Sequence, residues 1–76
     1  MFYKIEYLTD HSKETGHLDH SEVLEVTTGL QALREAQATA LVQHERVICT
    51  PCDESGNVDC AADYIATRKG TGWLLE

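Results

Sequence analysis

The stretch from Val47 to Cys60, V-I-C-T-P-C-D-E-S-G-N-V-D-C, contains all three cysteines of the chain. Its C-x-x-C pair, Cys49 and Cys52, has the ligand spacing of a structural zinc site, and Cys60 and His44 could complete a tetrahedron. The second C-x-x-C of a zinc ribbon is absent, so the spacing is a weak signal. We therefore predict no cofactor, with a small zinc-binding module as the alternative.

A redox role for these cysteines would need a thiolate, which typically forms at a helix N-terminus. The residues after Cys52, D-E-S-G-N, have the composition of a turn, and their acidic side chains oppose loss of a thiol proton. We therefore expect the cysteines to act mainly as small apolar residues with reduced thiols.

A polar segment near the N-terminus contains histidines and carboxylates close together, namely His11, His17 and His20 beside Asp10, Glu14 and Asp19. Such a set could capture a transition metal, and His20 is a second candidate for the fourth zinc ligand. However, H-L-D-H is not the helical pair of a zinc protease, and ordering a loop costs conformational entropy. Solvated loop residues are the favoured interpretation.

No segment has the pattern of a catalytic site. The chain lacks a phosphate-binding glycine loop, a G-x-S-x-G elbow and a serine with a credible base. Carboxylates acting as acid and base would need a shared pocket, which a core built from 76 residues can hardly enclose. We predict that the protein is not an enzyme.

Charge is the most informative feature of the composition. Six basic against thirteen acidic residues give a formal net charge of -7, which disfavours direct binding to nucleic acid or to an anionic membrane. Ten of the thirteen acids fall into two groups, Asp10 to Glu25 and Glu45 to Asp63, with one basic residue in each. The predicted partner-binding residues are Glu14, Asp19, Glu22, Asp53, Glu54, Asp59 and Asp63. Whether the two groups share a surface is left open.

The hydrophobic pattern predicts one domain, residues 1–76, of the α+β class. A four- to five-stranded, mostly antiparallel sheet carries one helix on one face in the order ββαβββ. The strands are expected at Phe2–Leu8, Glu22–Thr27, Arg46–Thr50, Asn57–Thr67 and Gly72–Leu75, with a long loop at Thr9–Ser21. A helix from Thr28 to His44 or Glu45 begins with a capping box, and turns are expected at Asp53–Asn57 and Arg68–Thr71.

The N-terminal segment and the length of the apolar runs indicate where in the cell the protein is located. No apolar run approaches the roughly twenty residues of a membrane-spanning helix. The segment Met1–Glu6 lacks the features of a signal peptide, so we predict a cytoplasmic protein, as monomer or homodimer.

Three segments between Tyr3 and Cys52 carry a resemblance: Y-K-I-E-Y-L, E-V-L-E-V-T-T-G-L-Q-A-L-R-E-A and E-R-V-I-C-T-P-C. Their layout resembles small phage proteins that disable host machinery, namely the coliphage inhibitor of bacterial RNA polymerase and anti-CRISPR proteins of type I systems. The resemblance covers about two thirds of the chain as a spacing of strands and helix, and it assigns no functional residue.

The resemblance implies a stoichiometric binder that blocks a groove. Together with the acidic composition it predicts an inhibitor that occupies a basic, nucleic-acid-binding surface of a host complex and partly imitates nucleic acid. The alternatives are the zinc module, a phage modulator of RNA polymerase, and an acidic domain without a dedicated partner.

Overall fold

The computed structural model describes residues 1–9 and 17–75. Their elements are β1 (Phe2–Thr9), β2 (His17–Glu25), α1 (Gly29–Thr39), β3 (Arg46–Cys52), β4 (Tyr64–Lys69) and β5 (Gly72–Leu75). The strands form one antiparallel sheet in the order β2-β1-β3-β4-β5. The predicted class, α+β with an antiparallel sheet and one helix, is confirmed for the described residues.

The core lies between α1 and one face of the sheet. Alternate residues of β1 point to this face, so Tyr3, Ile5 and Tyr7 are all buried. The segment between β2 and α1, the helix, β3 and β4 complete the cluster with Val26, Ala32, Leu33, Ala36, Val47, Cys49 and Ala66. The small alanines of α1 allow the helix to approach the sheet closely.

The helix begins where the capping pattern predicts. The Thr28 side chain accepts a hydrogen bond from the Gln31 amide at 3.1 Å, and the Gln31 side chain accepts one from the Thr27 amide at 2.9 Å. The first bond occupies a backbone donor of the first turn that has no helical partner, and the second holds the residue before the N-cap.

The predicted end of the helix, at His44 or Glu45, is wrong. Helix α1 ends at Thr39, and Ala40 has the extended dihedrals φ -58 and ψ 133. The next amide, that of Leu41, donates to Nδ1 of His44 at 3.0 Å. The His44 side chain thus accepts the hydrogen bond that the Leu41 amide would have donated to a backbone carbonyl in a continuing helix.

The bounds of β2 and β3 also differ from the prediction. Strand β2 spans His17–Glu25 and not Glu22–Thr27, because its polar first half also pairs with β1, with a bulge at Tyr7/Leu8. Strand β3 runs past Thr50 to Cys52 and includes Pro51. Pro51 is paired with Tyr3 of β1, but the pairing of β3 with β4 stops at Cys49, so the β4 side of β3 is an edge at this position, where proline is tolerated.

The expected strand Asn57–Thr67 exists only from Tyr64 onward. Before it, the predicted turn is present, with Gly56 at φ 88. The hairpin between β4 and β5 is also present, and it turns through Gly70 at φ 61 between the paired residues Lys69 and Gly72. In the part of the chain that the structure describes, no helix has the length and apolar character needed to cross a membrane.

Candidate functional site

The structure divides the predicted partner-binding carboxylates into two groups. Asp19 and Glu22 lie on β2, whereas Asp53, Glu54, Asp59 and Asp63 lie on the segment between β3 and β4, residues 53–63, called here the β3–β4 loop. Strand β1 runs between them, because Phe2 pairs with Cys52 and Tyr7 with His20. Phe2 and Tyr7 are five residues apart on β1, which corresponds to about 17 Å along the strand. Glu14 lies outside the described residues.

The β3–β4 loop is organised by its first carboxylate. Asp53 accepts hydrogen bonds from the Ser55 amide at 2.8 Å and from the Asn57 amide and side chain at 2.9 and 3.1 Å. These bonds, above all the one from the Asn57 amide, lower the pKa of Asp53. Asp53 is thus a charged group with a structural task, while Glu54 and Asp59 are exposed.

Two further carboxylates accept hydrogen bonds from the tyrosines of β1. The Tyr3 hydroxyl donates to Asp63 at 2.6 Å, and the Tyr7 hydroxyl donates to Glu22 at 2.8 Å. The bond to Asp63, followed by burial, raises the pKa of Tyr3 to about 12. Burial, followed by the bond to Glu22, raises the pKa of Tyr7. Two of the acidic side chains, Asp63 and Glu22, therefore bind core tyrosines and contribute to the fold.

These shifts predict a loss of stability at alkaline pH. The pKa of Tyr3 rises from 10.0 to about 12, and burial raises the pKa of Cys49 from 9.0 to about 11. The folded state keeps these protons at pH values where the unfolded chain has released them. The free energy of unfolding should therefore be unaffected by these groups below pH 9.0 and fall as the pH rises toward about 12.

Urea unfolding at a series of pH values measures this effect. The variant Tyr3→Phe should reduce the slope that begins near pH 10.0, and the remaining slope there comes from Tyr7, whose pKa is also raised from 10.0. An absorbance titration in which Tyr3 ionises at its ordinary pKa in the folded protein would contradict the prediction.

Asp19, one of the two predicted carboxylates on β2, lines a cleft of about 410 Å³ between β2 and the end of α1. Nε2 of His44 lies 2.7 Å from Oδ2 of Asp19, while Nδ1 of His44 accepts the Leu41 amide. The neutral ring therefore carries its proton on Nε2 and donates it to Asp19. Because both nitrogens are engaged, His44 has no lone pair left for general-base chemistry in this arrangement.

Aromatic rings form the inner wall of this cleft. The ring of Tyr7 is stacked with His20 at a centroid distance of 5.7 Å and is tilted against His44 at 5.2 Å. Of the other histidines considered as metal ligands, His11 lies outside the described residues, and for His17 only the backbone is described.

The cysteines do not converge on one point. Cys49 is buried under α1, while Cys52, three residues further along β3, belongs to the opposite face of the strand. Cys60 is exposed, and its thiol lies 3.7 Å from the Pro51 carbonyl. Among the side chains that the structure describes, no group of three or more His, Cys, Asp or Glu residues is arranged so that it could hold a metal ion. The zinc ligands Cys49, Cys52, Cys60 and His44 are therefore not brought together by the fold.

A second cavity, of about 310 Å³, lies at the β3–β4 loop. Cys52 and Cys60 line it together with Asp53 and Asp59. Burial, followed by the charge of Asp53, raises the pKa of Cys52. A raised pKa keeps the Cys52 thiol protonated, so Cys52 is a poor nucleophile at neutral pH.

Comparisons with models of protein families, with curated proteins and with solved structures find no match to this chain. The resemblance to phage inhibitors therefore rests on the spacing of the sequence, and function must be argued from the geometry.

The cleft beside β2 was not predicted from the sequence. Its pair His44 and Asp19 is separated by 25 residues, and Tyr7 and Glu22 by 15. The one local signal was H-L-D-H, which places Asp19 next to His20 but does not indicate the partner of either.

Proposed function

We propose that the protein is a non-enzymatic, phage-type inhibitor that binds a basic, nucleic-acid-binding surface of a host protein complex in the host cytoplasm. One observation carries this proposal: the β3–β4 loop presents four carboxylates without any Lys or Arg between Asp53 and Asp63. Such a loop attracts cationic side chains that otherwise hold phosphates.

The geometry of the loop supports a binding role. Its backbone is held in shape by the bonds to Asp53, so the exposed carboxylates of Glu54 and Asp59 need little further ordering on binding. Val58, between them in sequence, is 42% exposed and offers apolar contact. A fixed acidic rim around an apolar residue resembles the polar rim and apolar centre of protein interfaces.

A pulldown from bacterial lysate tests the proposal. At about 0.1 M salt the Debye length is about 10 Å, and at about 1 M it is about 3 Å. We expect a basic, nucleic-acid-handling complex to be captured at the lower salt concentration and lost at the higher one. Capture of RNA polymerase would favour the polymerase-modulator form of the proposal, and capture of a type I surveillance complex the anti-CRISPR form.

A matched pair of variants locates the interface. Glu54→Gln with Asp59→Asn changes the net charge from -7 to -5, and Glu35→Lys, on the exposed side of α1, makes the same change. We expect the loop variant to weaken binding about tenfold or more, as for the loss of about 1.4 kcal/mol, and Glu35→Lys to weaken it far less. Equal binding by the loop variant and the unmodified protein would refute the proposed interface.

A further inference from the structure

The cleft between β2 and the end of α1 combines features that suit one class of ligand. Asp19, whose side chain is 48% exposed, lies at its edge, and His44 holds only one of its two oxygens. Tyr7, His20 and His44 provide ring surfaces, and Leu41 adds an apolar wall that is 55% exposed. The cleft thus offers a carboxylate oxygen, aromatic rings and an aliphatic surface side by side.

The backbone adds a negative field to the same place. Helix α1 ends at this cleft, and its last turn contains no basic residue. The carbonyl end of a helix carries a partial negative charge that favours a cation. Glu22, bound to the Tyr7 hydroxyl, contributes a second carboxylate behind the rings.

One cation of the chain already binds the neighbouring backbone. The guanidinium of Arg68 donates to the carbonyls of Leu41 and His44 at 3.0 and 3.1 Å and lies 4.4 Å over the Trp73 ring. Arg68 belongs to β4, whereas Asp19 belongs to β2, with β1 and β3 between them in the sheet. Arg68 offsets part of the negative potential at the Leu41 and His44 carbonyls, while the Asp19 carboxylate lines the cleft on the β2 side.

We propose that this cleft receives an arginine side chain of the partner protein, with the guanidinium against Asp19 and the ring surfaces and the aliphatic stem against Leu41. Arginine fits better than lysine because its planar group can stack on rings and bind a carboxylate at once. This inference rests on the proposed function, since it supplies a second contact for a basic partner. It places a specific recognition site beside β2, with β1 between this strand and β3, from which the β3–β4 loop continues.

The test uses the full chain labelled with ¹⁵N and two blocked peptides. One peptide contains two arginines, and its twin contains citrulline, a neutral side chain of nearly the same shape. We expect the arginine peptide to shift the amide resonances of Asp19, His20 and Leu41 and the citrulline peptide to leave them in place. Equal shifts from both peptides would overturn the inference.

Variants then separate charge from shape. Asp19→Asn keeps an oxygen that accepts the His44 proton but removes the charge, and it should weaken arginine binding about 1.5- to 5-fold. Glu25→Gln, an exposed change of the same charge on β2, should leave binding unchanged. His20→Ala removes an exposed ring wall, and it should weaken binding even if Asp19→Asn proves poorly folded.

The outcomes distinguish this site from the proposed function. If the arginine peptide shifts only amides of the β3–β4 loop, the cleft site is wrong, while an acidic binding surface remains supported. If it shifts no amide, the cleft site is also wrong, and the pulldown decides on the proposed function independently.

Discussion

Replacing Gly29 by alanine is expected to lower the free energy of unfolding by about 1–3 kcal/mol, as overpacking does elsewhere. A Cβ at this position would lie 2.5 Å from the hydroxyl oxygen of Tyr3 and 3.1 Å from a ring carbon of Tyr64. Tyr3 cannot easily retreat, since it is buried and its hydroxyl is bound to Asp63. The better helix propensity of alanine offsets at most about 1 kcal/mol of this loss.

Urea unfolding measures the effect, and two further variants show its cause. Gly72→Ala is the matched control, because a Cβ there meets no atom within 4 Å. In the double variant with Tyr3→Phe the closest atom is gone, so the two changes together should cost less than the sum of the single changes. Additive losses, or a Gly29→Ala protein as stable as the unmodified one, would contradict the assigned contact.

The sequence supports the parts of the fold that depend on local pattern. The alternation in β1 identifies Tyr3, Ile5 and Tyr7 as core residues because a strand with one buried face has a period of two. Thr28 and Gln31 mark the start of α1 because their bonds span only a few residues. Both signals can be read without knowing the tertiary structure.

The boundaries that were wrong depend on distant partners. The helix stops early because His44 offers a ring nitrogen to Leu41, and this ring is itself held by Asp19 on β2. Strand β3 can continue through Pro51 because its pairing with β4 ends at Cys49. Polar residues at the start of β2 show no hydrophobic alternation, so only their pairing with β1 identifies them as strand.

The acidic residues were grouped by sequence position, and the fold gives them separate tasks. Glu22 and Asp63 accept tyrosine hydroxyls, Asp53 shapes a turn, and Asp19 binds an imidazole. Charge counting treats all of these side chains alike. Glu54 and Asp59, which are exposed on the β3–β4 loop, are therefore the sharper candidates for contact with a basic partner.

Replacing Cys49 by serine is expected to lower the free energy of unfolding by about 1–3 kcal/mol, because a hydroxyl would be buried among apolar side chains. Cys49 has no exposed surface and lies opposite Ile5 in the sheet. A domain of this size has a total stability of about 4–11 kcal/mol, so the loss is a substantial fraction of it. Each kcal/mol should lower the melting temperature by about 4–8 °C.

Serine variants of Cys52 and Cys60 show whether Cys49 acts as a core residue or as a zinc ligand. Cys52→Ser and Cys60→Ser should each change the free energy of unfolding by no more than about 0.5 kcal/mol, since their thiols are not in the core. Cys49→Ala, which removes the thiol without adding a hydroxyl, isolates the cost of the polar group. Zinc ligands act as a set, because losing any one of them weakens the whole site. Similar losses in all three serine variants, together with destabilisation by a chelator, would therefore support the zinc module and contradict the core assignment of Cys49.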